Sequence, residues 1–223
     1  MPEYVNKLCD EIVFTGEKAK ENGLKLTSVY WGGGTPTTLS AEDLDRVLTA
    51  IEDNFDLSNC TEYTVEAGRP DTITDEKLYV LKKHNVGRIS INPQTFSNSV
   101  LEAIGRKHSA ELTIEKYNSA REIGFDCINM DLIAGLPTDT FESFKSTMDI
   151  ILKLDPESVT VHALSMKRAS TLNTTGQYSE IKAGSEAQKM VDYSREILRK
   201  NGILPYYMYR QSKTVGNLEN VGY

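Results

Sequence analysis

Leu26-Thr27-Ser28-Val29-Tyr30-Trp31-Gly32-Gly33-Gly34-Thr35-Pro36-Thr37 is an uncharged, β-branched and aromatic run that stops on three consecutive glycines. Val29, Tyr30 and Trp31 suit a pleated strand, and the glycines end it by removing every side chain from its terminus. Ser40-Ala41-Glu42-Asp43 follows, a capping pattern with an acidic residue at the third position, and Leu44, Val47, Leu48 and Ile51 then recur at helical spacing. Strand, glycine loop and helix make one βα unit, with the loop at the carboxyl end of the strand.

The same alternation extends in both directions. Upstream, Val5, Leu8, Ile12 and Val13 mark an opening helix that should end near Glu21-Asn22-Gly23, where glycine can take the left-handed cap. Downstream, strands are expected over residues 63–67, 88–92, 128–133 and 158–164, with helices over 75–83, 114–123, 141–152 and 186–200. The apolar run at 206–209 is a candidate sixth strand. About five or six βα units around a parallel sheet, either a barrel or an open doubly wound sheet, account for this order in one domain over residues 1–223.

Composition narrows the partners. A net charge of -7 with a pI near 5.1 disfavours nucleic acid and anionic membranes. No apolar run reaches the roughly 18 residues of a membrane span, and Met1-Pro2-Glu3-Tyr4 lacks the regions of a signal peptide, so a cytoplasmic location is expected. Cys9, Cys60 and Cys127 are odd in number and widely spaced, the usage of buried thiols in a reducing compartment rather than of a disulfide framework.

Ligands of parallel αβ folds bind at the carboxyl ends of the strands, and each strand end here carries an unusual group. The first ends in Gly32, Gly33, Gly34 and Thr35, the second in Glu66, the third in Gln94, the fourth holds Asp131, and the fifth ends near His162. The glycine loop matches neither the GxxxxGK[ST] spacing of a nucleoside triphosphate site nor GxGxxG. Glu66, Gln94, Arg106 and Asp131 supply two acceptors, an amide and a fork-shaped cation, the partners that an amino acid joined to a ribose needs. Taken singly, Arg106 reads as a solvated basic turn, and Gln94 could simply cap the next helix. Asp131 is different, because it interrupts the apolar strand Asn129-Met130-Asp131-Leu132-Ile133, where an idle carboxylate would be costly.

Tyr30-Trp31-Gly32-Gly33-Gly34-Thr35-Pro36-Thr37 and Asn129-Met130-Asp131-Leu132-Ile133-Ala134-Gly135-Leu136-Pro137 together resemble the oxygen-independent coproporphyrinogen III oxidase (coproporphyrinogen dehydrogenase) family of radical S-adenosylmethionine enzymes. Ser90-Ile91-Asn92-Pro93-Gln94-Thr95, Gly105-Arg106-Lys107-His108 and Tyr209-Arg210-Gln211 extend the likeness over essentially the whole chain. The resemblance implies a partial parallel (β/α) barrel of the radical SAM type. It also implies roles: Gly33 and Glu66 at the amino group of S-adenosylmethionine, Arg106 on its carboxylate, Gln94 and Asp131 on its ribose, and the backbone at Leu164 facing its adenine. The implied reaction converts coproporphyrinogen III to protoporphyrinogen IX through a 5'-deoxyadenosyl radical, with an external electron donor and a 4Fe-4S cluster.

Family members hold that cluster with a CxxxCxxC loop after the first barrel strand. This chain has no such loop, and its three separated cysteines cannot imitate it. The expectation is therefore a fragment lacking the first strand and inactive by itself, with the exposed strand at 26–31 prone to association. Two alternatives stand beside it. One is a haem-binding or haem-chaperone relative, with His84, His108 and His162 as candidate ligands. The other is a radical SAM enzyme with another substrate.

Overall fold

The structure, a computed structural model, describes residues 2–165 and 180–223. They divide into two compact units, Met1–Ile91 with Glu115–Ile128, and Asn92–Ile114 with Asn129–Tyr223.

The first unit runs α1 (Pro2–Glu21), β1 (Ser28–Trp31), α2 (Ala41–Asn54), β2 (Glu62–Gly68), α3 (Asp75–Lys83) and β3 (Arg88–Ile91). β1 pairs parallel with β2 from Ser28↔Glu62 to Trp31↔Val65, and β2 pairs parallel with β3. Ser40 caps α2 by accepting from the Asp43 N–H at 3.1 Å, and Thr74 caps α3 through the Lys77 N–H at 3.3 Å. Val5, Leu39, Leu44, Val47 and Ile51 form a buried cluster against which Leu8, Cys9, Ile12, Val29 and Trp31 pack, so the apolar faces read from the sequence meet as expected. β1 is shorter than the 26–31 run. Its partner begins only at Glu62, which leaves Leu26 and Thr27 ahead of the ladder.

Of the second unit's elements, α4 (Asn98–Ala103) comes first, and α5 (Ala110–Ile123) has residues in both units. Then follow β4 (Ile128–Ala134), α6 (Phe141–Leu154), β5 (Ser158–Ala163), α7 (Glu180–Lys200), β6 (Tyr207–Tyr209) and β7 (Asn220–Gly222). β4 and β5 pair parallel, with Asp131↔Thr160 and Ile133↔His162 in register. The 206–209 run does yield a strand, over Tyr207–Tyr209, but it does not continue the parallel series. β6 pairs antiparallel with β7, which itself pairs antiparallel with β5. The link between β6 and β7 is too short for a parallel crossover, which needs about a dozen residues or more.

Candidate functional site

In the first unit, β1 opens into the glycine loop, and a short 3-10 helix, Pro36–Thr38, follows it. Thr37 is fully buried there; its hydroxyl donates to the Ala67 carbonyl at 2.7 Å and lies 2.6 Å from the Thr72 hydroxyl. The Lys77 ammonium donates to the carbonyls of Thr37 at 2.6 Å and Thr72 at 3.0 Å. These bonds fasten the loop after β1 to the loop after β2. Burial of Lys77 lowers the pKa of its ammonium, which two carbonyls keep hydrogen-bonded.

Trp31, Gly32, Gly34, Thr35 and Leu39 line a cleft of about 260 Å³ at this strand end. Glu66, half-buried on β2, accepts a hydrogen bond from the hydroxyl of Tyr30 on β1. The β2–β3 register shifts between Glu66 and Gly68, an irregularity of the kind that re-aims a side chain beside a functional site. Gly32 makes the closeness of these groups possible: a Cβ on it would lie 2.9 Å from Oε1 of Glu66 and 2.7 Å from the Tyr30 ring. The glycine is required by its neighbours rather than by a turn.

In the second unit, the structure joins Gln94 to Asp131. The Gln94 N–H donates to the Asp131 carbonyl at 3.0 Å, and the Gln94 carbonyl accepts from the Ile133 N–H at 2.9 Å. Gln94 sits at φ 67, a left-handed conformation uncommon for a residue with a side chain, and is buried. Asp131 is half-buried, and its Oδ1 accepts from the Asn129 amide at 2.7 Å. Hydroxyls of Ser158 and Thr160 donate to Asn129 Oδ1 at 2.9 and 3.2 Å, which fixes the orientation of that amide. The carboxylate in the apolar strand is thus held on a polar face of β4 and β5, not stranded.

Arg106 is placed by the end of α4. Gly105, at φ 71, donates to the Glu102 carbonyl at 3.0 Å, and the Arg106 N–H donates to the Leu101 carbonyl at 2.9 Å. This pair of bonds is a Schellman cap, which glycine permits at small cost. Arg106 is half-buried and Lys107 exposed, which separates two cations that look alike in the sequence. The Leu164 N–H donates to the Ala134 carbonyl at 3.0 Å, and its carbonyl accepts from the Val215 N–H at 2.8 Å.

The histidines differ in kind. His84 is 3% exposed, with its ring nitrogens 2.9 Å from Glu52 and 2.8 Å from Asp45, so it ties α3 to α2. His108, also 3% exposed, faces the Pro93 carbonyl at 3.3 Å. His162 remains reachable, with its side chain 24% exposed and its Nε2 3.7 Å from Asp131 Oδ2. The cysteines stay apart. Cys9 lies in α1, Cys60 precedes β2 with its thiol on the Glu62 carbonyl at 3.1 Å, and Cys127 precedes β4.

Sequence reasoning missed Tyr30, Thr37 and Lys77. Pairing of Tyr30 with Glu66 follows only from the β1–β2 register, and nothing in the local sequence of α3 announces that Lys77 reaches two loops.

The chain matches the family model described as the Radical SAM superfamily over residues 2–151. It is 48% identical over 93% of its length to the oxygen-independent coproporphyrinogen-III oxidase-like protein HemZ of Bacillus subtilis, 42% of which it covers. It is 37% identical over 82% of its length to the heme chaperone HemW of Lactococcus lactis, covering 48% of it. The oxygen-independent coproporphyrinogen III oxidase of Escherichia coli is 33% identical over 71% of the chain and is covered to 34%. The chain thus spans less than half the length of these relatives. Among solved structures, coproporphyrinogen III oxidase (HemN) from Escherichia coli superposes with a TM-score of 0.81 at 24% identity, over 99% of this chain and 48% of that one. The archaeal Methanocaldococcus infernus Elp3 gives 0.62 at 20% identity, over 81% of this chain and 48% of its own.

Proposed function

Because the chain belongs to the radical SAM superfamily and has the partial parallel barrel fold of that type, we propose that it is the S-adenosylmethionine-binding part of a coproporphyrinogen III dehydrogenase. On this reading residues 1–223 are one incomplete barrel domain of a cytoplasmic enzyme that takes coproporphyrinogen III and an external electron donor. No helix among the described residues is long and apolar enough to cross a membrane. The observation that carries the reading is the likeness to HemZ across nearly the whole chain.

The residues present suit the adenosyl cofactor. Glu66 is an acceptor for an ammonium, and Gly32, which lines the cleft, leaves room for that carboxylate beside it. Arg106 offers a two-pronged donor for a carboxylate. Gln94 and Asp131, joined through their backbones, present an amide and a carboxylate to a ribose diol. When bound, S-adenosylmethionine would supply hydrogen-abstracting chemistry once an electron from an external donor cleaved its sulfonium, and turning a propionate side chain into a vinyl group with loss of carbon dioxide would in addition require an acceptor for one electron. The chain's own part is to orient the amino acid and ribose and to hold the strand-end loops closed through Lys77 and Thr37. The residues present do not suit the iron–sulfur cluster. The three cysteines lie on separate elements, and among the described residues no three His, Cys, Asp or Glu are placed to hold a metal ion.

Calorimetric titration with S-adenosylmethionine tests the reading. Glu66→Gln and Asp131→Asn should each weaken binding about tenfold or more, the range for losing a charge-assisted hydrogen bond. No saturable binding by the unaltered chain would overturn it. The second reading, a haem chaperone, draws on the HemW relatives and on His162 being the reachable histidine. A Soret shift on haem titration that disappears with His162→Ala would favour it.

A further inference from the structure

His162 stands between Asp131 on β4 and Tyr209 on β6. Its Nδ1 is 3.3 Å from the Tyr209 hydroxyl, and its Nε2 is 3.7 Å from Asp131 Oδ2. The first distance is a hydrogen bond and the second is too long for one. The phenol oxygen can donate or accept, and it is the donor in the tautomer whose proton lies on Nε2. With Nδ1 accepting, the proton of a neutral imidazole lies on Nε2, pointing toward the carboxylate. The ring is held further by its edge contact with Tyr209, whose own ring lies nearly parallel to Tyr207, 5° apart at 6.0 Å.

An N–H donor and a carboxylate oxygen 3.7 Å apart, with side chains 24% and 22% exposed, leave a place of defined chemistry between and in front of them. An oxygen can sit about 2.8 Å from both ends of that separation. To satisfy both it must accept from the imidazole and donate to the carboxylate. Only a group that is acceptor and donor at once does this, and a hydroxyl is the simplest. Asp131 Oδ1 is already engaged by Asn129, so Oδ2 is the oxygen turned to this place.

We propose that His162 is a ligand-binding residue of this site, donating from Nε2 to the same ligand hydroxyl that donates to Asp131 Oδ2, with Tyr209 positioning the ring and fixing its tautomer. This rests on the reading of Asp131 as a ribose ligand and adds to it: the pair discriminates a riboside from the deoxyriboside that lacks the shared hydroxyl. Such a pair rejects the deoxy compound because both of its groups would be left without their partner.

The test is a set of titrations of the 223-residue chain with S-adenosylhomocysteine and its 2'-deoxy and 3'-deoxy counterparts. In the unaltered chain one deoxy compound should bind about tenfold or more weakly. His162→Leu should weaken the riboside by about fivefold and leave that deoxy compound unchanged, and Tyr209→Phe should give a smaller loss with the same selectivity. Equal losses for all three ligands would mean that His162 merely supports the fold, and would overturn the proposal. Asp131→Asn separates the two levels of inference. If it abolishes the discrimination while His162→Leu does not, this inference alone falls; if it too acts equally on all ligands, the ribose reading falls with it. Should the histidine variant not fold, long-range 1H–15N correlation of the native imidazole decides. A change of the Nε2–H resonance with the riboside and not with the deoxy compound supports the proposal, and the same change with both refutes it.

Discussion

Replacing Gly32 by alanine should weaken ligand binding far more than it weakens the fold. The added Cβ would lie 2.7 Å from Cε1 of Tyr30 and 2.9 Å from both Cδ and Oε1 of Glu66. Carbon contacts are comfortable at about 3.5–4.0 Å, so each neighbour must withdraw by roughly 1 Å. Both are ends of side chains, and moving them off their best rotamers costs about 0.5–1.5 kcal/mol. Alanine restricts the unfolded chain and returns about 0.4–1 kcal/mol of that. Net stability should therefore change by no more than about 1 kcal/mol, a Tm shift within about 4 °C for a chain of this size. Binding is hit harder, because the Glu66 carboxylate leaves the place where it would meet the ligand ammonium. Loss of a charge-assisted hydrogen bond, about 1.5–3 kcal/mol, corresponds to a Kd raised roughly 10- to 150-fold. Thermal unfolding and calorimetric titration with S-adenosylmethionine measure the two effects on one sample. Gly33→Ala is the contrasting control, with no atom within 4 Å of its Cβ but a φ of +100. It should lower Tm by the strain of about 1–2 kcal/mol and leave the Glu66–Tyr30 contact intact. A Gly32→Ala chain that binds within twofold of the original would refute the reasoning.

Arg106→Ala should reduce S-adenosylmethionine affinity by about 1.5–3 kcal/mol and Lys107→Ala hardly at all; equal effects in a titration would make the stretch a basic surface turn. Asp45 has its carboxyl pKa lowered, first by Lys83 and then by His84. A lowered folded pKa contributes stability above the unfolded value, about 3.9, which is lost as the pH falls through the folded one. Tm should thus decline below about pH 4, and Lys83→Met should flatten that decline. Anaerobic reconstitution should leave the chain without a cluster after desalting, and iron and acid-labile sulfide near four each per chain would contradict the separation of Cys9, Cys60 and Cys127. Among the described residues β1 pairs only with β2, and Tyr30 on it is 62% exposed. Light scattering should therefore show association growing with concentration, and slow amide exchange over 28–31 in a sharp monomer would argue against an open edge.

Legibility followed the range of the forces involved. The βα alternation could be read because burying an apolar stripe imposes a period on consecutive residues, as in Leu44, Val47, Leu48 and Ile51, all now in one core. Asp131 could be read because a charge in an apolar strand demands partners, and Asn129 supplies one. What failed was either short or distant. α4 and β7 are too brief for a period to emerge, and β7 could not be read from Asn220-Val221-Gly222. The Tyr30–Glu66, Lys77–Thr37 and His162–Asp131 relations join residues 36, 40 and 31 apart in the sequence, so strand register and loop closure create them and local propensity carries no trace of them. His84 illustrates the opposite hazard, since its residue type suggested a ligand and its two carboxylate neighbours make it a clamp between helices.

The double backbone bond between Gln94 and the Asp131–Ile133 segment works like the hinge pin of a caliper. Two jaws mounted on one pin keep their opening when the instrument is shaken, because any displacement carries both. Gln94 and Asp131 are 37 positions apart in the sequence, yet the spacing of their backbones is set by a single ring of two hydrogen bonds. Displacement of either segment therefore carries the other with it, and the two backbones part only if that ring opens.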